Sequence, residues 1–154
     1  MASPGARVRL LPPAVFLVPL GAAVALDRLA GLPRFALPSV GLVLATALGL
    51  AGAGLFLWAG QTLLSRGTTV IPWHAVEQLV TTGPFARSRN PIYLGDALIY
   101  LGLAGWAGSW TAILLLPLIL WVMTRWVIRR EEAYLTQRFG TAYQSYAVRV
   151  RRWV

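Results

Sequence analysis

Long apolar runs broken by short polar stretches set the pattern along this chain. Residues 10–26 carry no charge but are interrupted by Pro12, Pro13 and Pro19. This run sits at the lower limit for a membrane span, about 17 residues. Residues 40–64 are also uncharged and long enough to cross with some tilt. Two further runs, 92–106 and 110–128, are separated only by Ala107, Gly108 and Ser109, the pattern of a tight helical hairpin. Trp106 and Trp110 flank that turn as interface anchors. The run 92–106 is short for a full span, which implies tilt or a start inside a protein-lined pocket. Beyond it, residues 129–154 are polar with Leu135, Phe139, Ala142 and Tyr146 spaced i, i+4, i+7, i+11, one face of an amphipathic helix that Gly140 weakens. The predicted fold is all-α: an integral membrane protein with about four transmembrane helices and a C-terminal amphipathic helix on the cytosolic side.

The interruptions are informative too. Asp27, Arg28, Pro33, Arg34 and Pro38 form a polar connection between the first two runs. Residues 65–91 form the largest non-membrane segment before the C-terminal stretch, with His74 as a lone loop histidine that reads as solvated or interfacial. Within the second run, Ala45, Gly49 and Ala53 fall four apart. Such a small-residue stripe lets helix backbones approach closely in lipid, and simple abundance of Gly and Ala is the competing reading.

Composition agrees with the pattern. Hydrophobic residues make up 57% and charged residues 12%, against about a quarter charged in a soluble domain. The net charge is +9, and every basic residue is Arg. These arginines flank apolar segments and do not form a stripe with interleaved aromatics, so they suit anionic lipid headgroups and not nucleic acid. Their placement orients the chain. Arg7 and Arg9, then Arg66, Arg87 and Arg89, then Arg129, Arg130, Arg138, Arg149, Arg151 and Arg152 fall on one side of four spans. The positive-inside rule then predicts cytoplasmic N- and C-termini, with 65–91 and the C-terminal stretch on one face. The basic start followed by an apolar run resembles a signal peptide; without a convincing cleavage site it reads as a retained first span. Cysteine is absent and histidine single, which excludes disulfides, thiolate chemistry and a multi-histidine metal site.

Two constellations carry candidate chemistry. The first is Thr82-Gly83-Pro84-Phe85-Ala86-Arg87-Ser88-Arg89-Asn90-Pro91-Ile92-Tyr93-Leu94-Gly95. Pro91 suits the first position of a helix and Asn90 can cap it. Free N–H groups at a helix start, with the guanidinium fork of Arg89, suit a carboxylate. The competing reading is a capped transmembrane helix with snorkelling arginines. The second is Arg129-Arg130-Glu131-Glu132, followed by Leu135, Phe139, Tyr143 and Tyr146. Adjacent glutamates on a helix point in different directions and serve different partners, though Arg129 and Glu132 also have the spacing of a local ion pair. Asp96 and Arg125 are ionisable residues within predicted spans and are functional candidates on that ground, either as a pair or separately.

The spacing G-P-x-x-x-x-R-N-P-x-Y-x-G, then a helical hairpin, then E-E-x-x-L-x-x-x-F-G-x-x-Y-x-x-Y resembles the isoprenylcysteine carboxyl methyltransferase family, to which the phospholipid N-methyltransferases are related. The resemblance covers roughly the second half of the chain. It implies one membrane methyltransferase-like domain over residues 1–154, with two generic spans in 1–64 and a cofactor-binding half in 65–154. It implies S-adenosylmethionine as cofactor, bound at the cytosolic face by Gly83, Pro84, Arg89, Asn90, Pro91, Tyr93, Gly95, Glu131, Glu132 and Tyr143. It further implies Arg129 and Glu132 as catalytic residues, Arg129 holding the acceptor. Eukaryotic members carry His at the position of Asn90. Asn cannot titrate, which argues against proton transfer there and points to a bacterial-type member of the inner membrane, whose acceptor need not be a prenylated protein. The methyl acceptor is expected to be a lipophilic or small membrane-partitioned carboxylate, thiol or amine. Two alternatives stand beside this reading: an NADPH-dependent sterol-reductase-like enzyme, for which the chain lacks extra spans and a glycine-rich fingerprint, and a non-enzymatic membrane subunit. The oligomeric state is not encoded in these features.

Overall fold

The computed structural model describes residues 11–68 and 76–154, so Arg7, Arg9 and His74 lie outside the described residues. The described residues are helical: α1 Pro12–Leu29, α2 Ser39–Ser65, α3 Pro91–Ala107, α4 Trp110–Val122, α5 Arg129–Phe139 and α6 Thr141–Arg149. A 3-10 turn, Gly83–Ala86, precedes α3, and a π-helical turn, Met123–Ile128, joins α4 to α5 without a break. Three helices are long and apolar enough to cross a membrane: Pro12–Leu29, Ser39–Ser65 and Trp110–Phe139. The 17 residues of α3 give about 26 Å of rise, short of the roughly 30 Å hydrocarbon core.

Helix α3 packs most closely on α2, and glycine makes that possible. A Cβ on Gly52 would stand 2.6 Å from the Gly95 carbonyl oxygen, and one on Gly102 would stand 2.7 Å from that of Ala45. The stripe on α2 therefore differs from the expected one. Ala45, Gly52 and Ala59 are buried, and a Cβ on Gly49 would stand 4.0 Å from the Gly102 Cα, while Ala53 is only half-buried. A contact running along two crossing helices repeats every three or four residues, not every four. On the other side of α3, Tyr100 is fully buried and meets Phe16 of α1 edge-on, its hydroxyl donating to the Ala112 carbonyl of α4 at 2.8 Å.

The connection after α1 departs from expectation. Asp27 belongs to α1 and is 1% exposed. Its carboxylate accepts from the hydroxyls of Ser109 and Thr111, and Ser109 in turn caps α4 by accepting from the Ala112 N–H. Phe35 donates its N–H to the Gly108 carbonyl at 3.0 Å. Gly108, at φ +62°, closes the hairpin turn where it was expected. A buried carboxylate is tolerated only when its oxygens are satisfied, and two hydroxyls do that here. The C-terminal stretch is two helices: Gly140, at φ +53°, ends α5 and starts α6. The break changes the register, so Tyr143 and Tyr146 are buried and Ala142 is exposed.

The glycine contact gives a direct test. Gly52→Leu should destabilise the detergent-solubilised protein by about 1–3 kcal/mol through overpacking against backbone that cannot yield. Gly54→Leu, at an exposed position with nothing within 4 Å, should leave the thermal midpoint unchanged. Equal midpoints for both variants would show that the α2–α3 contact is not the tight one described.

Candidate functional site

The start of α3 is built by the turn that precedes it. Gly83 adopts φ +61°, and a Cβ there would lie 3.3 Å from the Thr62 hydroxyl of α2. The 3-10 turn then buries Pro84 and Phe85, and Pro91 begins the helix at the position where a missing N–H costs nothing. Asn90 does not cap it with its side chain as expected. Its Nδ2 instead donates to the Arg152 carbonyl at 2.9 Å, so the Asn90 side chain does not cap α3. The first-turn N–H groups of Ile92 and Tyr93 have no acceptor within the helix.

The second wall comes from α5, which the π turn places. The Arg129 N–H reaches the Thr124 carbonyl, five residues back, so the turn holds one more residue than an α-helical turn. Met123, Val127 and Ile128 are buried, and Glu131 and Glu132 follow half-buried, while Arg125, Trp126, Arg129 and Arg130 are exposed. Glu131 accepts from the Tyr93 hydroxyl at 2.7 Å. Glu132 accepts a fork from Arg152, 2.9 Å from Nε to one oxygen and 2.7 Å from Nη2 to the other. Arg89 Nη1 stands 3.2 Å from the same carboxylate and 3.5 Å from the Tyr143 hydroxyl. The Arg89 Nε is buried with no hydrogen-bond partner among the described residues.

Helix α6 closes the third side. The Tyr146 hydroxyl donates to the Phe85 carbonyl at 2.7 Å, and the Tyr143 and Tyr146 rings meet edge-on. Burial raises the titration of both hydroxyls above the ordinary tyrosine range; the Glu132 charge adds to the effect at Tyr143 and the Tyr143 hydroxyl adds to it at Tyr146. Both stay neutral at physiological pH. Arg89, Asn90, Tyr93, Glu131, Glu132 and Tyr143 border one cavity. Its apolar side is formed by Leu63 of α2, Leu79, Val80, Ile92 and Leu135.

The structure thus brings together most of the residues singled out from sequence. Pro91 also borders the cavity, whereas Gly83, Pro84, Gly95 and Arg129 are not among its lining residues. Gly83 and Pro84 shape the turn beneath it, and Gly95 packs on α2. Arg129 is exposed, and Glu132 pairs with Arg89 and Arg152 instead. Asp96 and Arg125 do not pair among the described residues: Asp96 is buried with Oδ2 unpartnered, and Arg125 is exposed. Three residues were not assigned to the site from sequence. Phe85 and Tyr134 border the cavity, the Tyr134 hydroxyl accepting from the Val76 N–H at 3.2 Å. Arg152 grips Glu132, but in sequence it is one of three closely spaced arginines, and nothing local separates it from Arg149 and Arg151.

Comparisons with known proteins bear on the same region. Residues 40–142 match the family model described as phospholipid methyltransferase. A stretch of 72 residues is 39% identical to the protein-S-isoprenylcysteine O-methyltransferase of Schizosaccharomyces pombe, covering 47% of this chain and 30% of that protein. A stretch of 63 residues is 38% identical to an uncharacterized protein of Haemophilus influenzae, covering 41% of this chain and 100% of that one.

Because folding raises the tyrosine titrations, the folded state holds protons that the unfolded chain releases above about pH 10. That contribution to stability is intact below pH 10 and is lost as pH rises beyond it. Thermal midpoints should therefore be flat on approaching pH 10 and fall above it. Tyr146→Phe should lower the neutral-pH stability by about 1–3 kcal/mol, by orphaning the Phe85 carbonyl, and should make the alkaline fall shallower. An identical alkaline fall in the variant would contradict this account.

Proposed function

Because the chain belongs to the phospholipid methyltransferase family, we propose that it is an S-adenosylmethionine-dependent membrane enzyme that methylates a lipophilic or small membrane-partitioned acceptor. The observation that carries this reading is a cavity lining that joins cationic and anionic groups. Arg89, whose Nε has no partner among the described residues, lies at the start of α3. Glu131 and Glu132 lie beside it on α5 and line the same cavity. The methionyl end of S-adenosylmethionine carries a carboxylate and an ammonium on one carbon. Arg89 and the Ile92 and Tyr93 N–H groups suit the carboxylate. The glutamates suit the ammonium and the ribose hydroxyls. When bound, the cofactor supplies an activated sulfonium methyl, which passes to a lone pair on the acceptor as the carbon–sulfur bond breaks and S-adenosylhomocysteine leaves. The protein's task is then alignment and exclusion of water. Leu63, Ile92 and Leu135 give the cavity an apolar side fitted to a lipophilic acceptor.

The membrane arrangement belongs to the same proposal. Helix α3 joins the three longer helices as a fourth, tilted or partly protein-lined span. The cavity end of the bundle carries Arg66, Arg87, Arg89, Arg129, Arg130, Arg138, Arg149, Arg151 and Arg152, against Arg28 and Arg34 on the far connection. This asymmetry supports cytoplasmic termini and a cofactor site open to the cytosol, in a bacterial inner membrane.

Calorimetry on the purified protein in detergent tests the reading. The wild type should bind S-adenosylmethionine or S-adenosylhomocysteine, and Arg89→Ala should bind at least ~10-fold more weakly, as expected for losing a charge-assisted hydrogen bond. A wild type that binds neither ligand would refute it.

A further inference from the structure

The segment after α6 is fastened to the start of α3, to α5 and to the hydrophobic core. The Arg89 N–H donates to the Arg151 carbonyl at 3.0 Å. The Arg152 carbonyl accepts from Asn90 Nδ2 at 2.9 Å and from the Ser88 hydroxyl at 3.4 Å. The Arg152 side chain forks onto both oxygens of Glu132. Trp153 packs against the main hydrophobic core. Segment 150–153 thereby ties the start of α3 to α5, both of which line the cavity.

We propose that Arg152 is a positioning residue of the methyl-donor site, holding the Glu132 carboxylate in the orientation that receives the donor. This rests on the reading that the cavity holds S-adenosylmethionine. Glu132 contributes to the cavity wall, whereas Arg152 is not among the lining residues, so Arg152 acts through Glu132. A glutamate side chain has three rotatable bonds, and the Arg89 contact, at 3.2 Å from Nη1 to one oxygen, is longer than either bond of the Arg152 fork. The Arg152 fork fixes the plane of the carboxylate, which a single contact cannot do. The tail is also held through the Arg151 and Arg152 carbonyls and by Trp153, contacts that do not use the Arg152 side chain. Arg152 also differs from Arg151, which is exposed and gives only its carbonyl.

The test is a double-mutant cycle read by calorimetry with S-adenosylhomocysteine on the full-length protein. Arg152→Ala should weaken binding by about tenfold, Arg152→Lys by less, since an ammonium keeps the charge but loses the fork, and Arg151→Ala not at all. In a Glu132→Gln background, Arg152→Ala should add little further loss, because the group it positions is already altered. Ligand-free thermal midpoints of Arg152→Ala and Arg152→Lys separate a binding defect from a folding defect. An Arg152→Ala protein that binds like the wild type overturns this inference alone. So does a loss of the same size in the Glu132→Gln background, which would mean that Arg152 touches the ligand directly. Absence of binding by the wild type overturns it together with the proposed function.

Discussion

A half-buried carboxylate with two guanidinium partners, Glu132 between Arg89 and Arg152, is the constraint on which the site depends. An ionised group taken partly out of water must be paired, and removing one member of such a set leaves the others uncompensated. The pairing also dictates geometry. Arg89 lies just before α3, Glu132 in the first turn of α5, and Arg152 beyond α6. Only an arrangement that brings these three places together satisfies all three charges. Around that point the tyrosines of α3 and α6 find their own partners, Tyr93 on Glu131 and Tyr146 on the Phe85 carbonyl.

The rest of the bundle fixes where α3 can be. In lipid, apolar burial does little to drive helices together, so close backbone packing and hydrogen bonds must do it. The Gly52–Gly95 and Ala45–Gly102 approaches supply the packing along one side. At the far end, Asp27 holds Ser109 and Thr111, which locks the last turn of α1 onto the α3–α4 hairpin, and the Phe35 N–H ties the α1–α2 connection to the Gly108 carbonyl. A helix held along its length and at one end can place its first turn reproducibly at the other. The π turn performs the matching task for α5: it keeps Val127 and Ile128 in the core while Glu131 and Glu132 face α3 and the arginines face outward.

How much of this was legible beforehand depended on whether the signal was local. Helix positions follow from hydrophobic runs and were readable: α3 and the hairpin turn lie within one residue of expectation. The meeting of the Arg89–Tyr93 region with the two glutamates was legible only as what the family resemblance implied; the residues by themselves left a capped helix and a local Arg129–Glu132 pair open. What failed were properties set by partners distant in sequence. Asp27 reads as loop until Ser109 and Thr111 are placed beside it, and Arg152 reads as one tail arginine among several. Arg129 and Arg130 are as close to the glutamates in sequence as residues can be, but helical geometry turns them away. Asn90 has the residue type of a cap, yet the Arg152 carbonyl offers its amide another partner. Gly140 was visible as a weak point; its positive φ, which breaks the stretch into two helices and exchanges Tyr143 for Ala142, was not.

In the proposed function the methyl donor sits between the start of α3 and the glutamate-bearing turn of α5, with α6 alongside. Ultraviolet cross-linking of methyl-labelled S-adenosylmethionine to the membrane-embedded protein, followed by peptide mapping, tests that location directly. Label should be found in peptides covering residues 83–95 and 131–146 and should disappear when excess S-adenosylhomocysteine is added. Competable label confined to α1 or α2, or no competable label anywhere in the chain, would contradict the account.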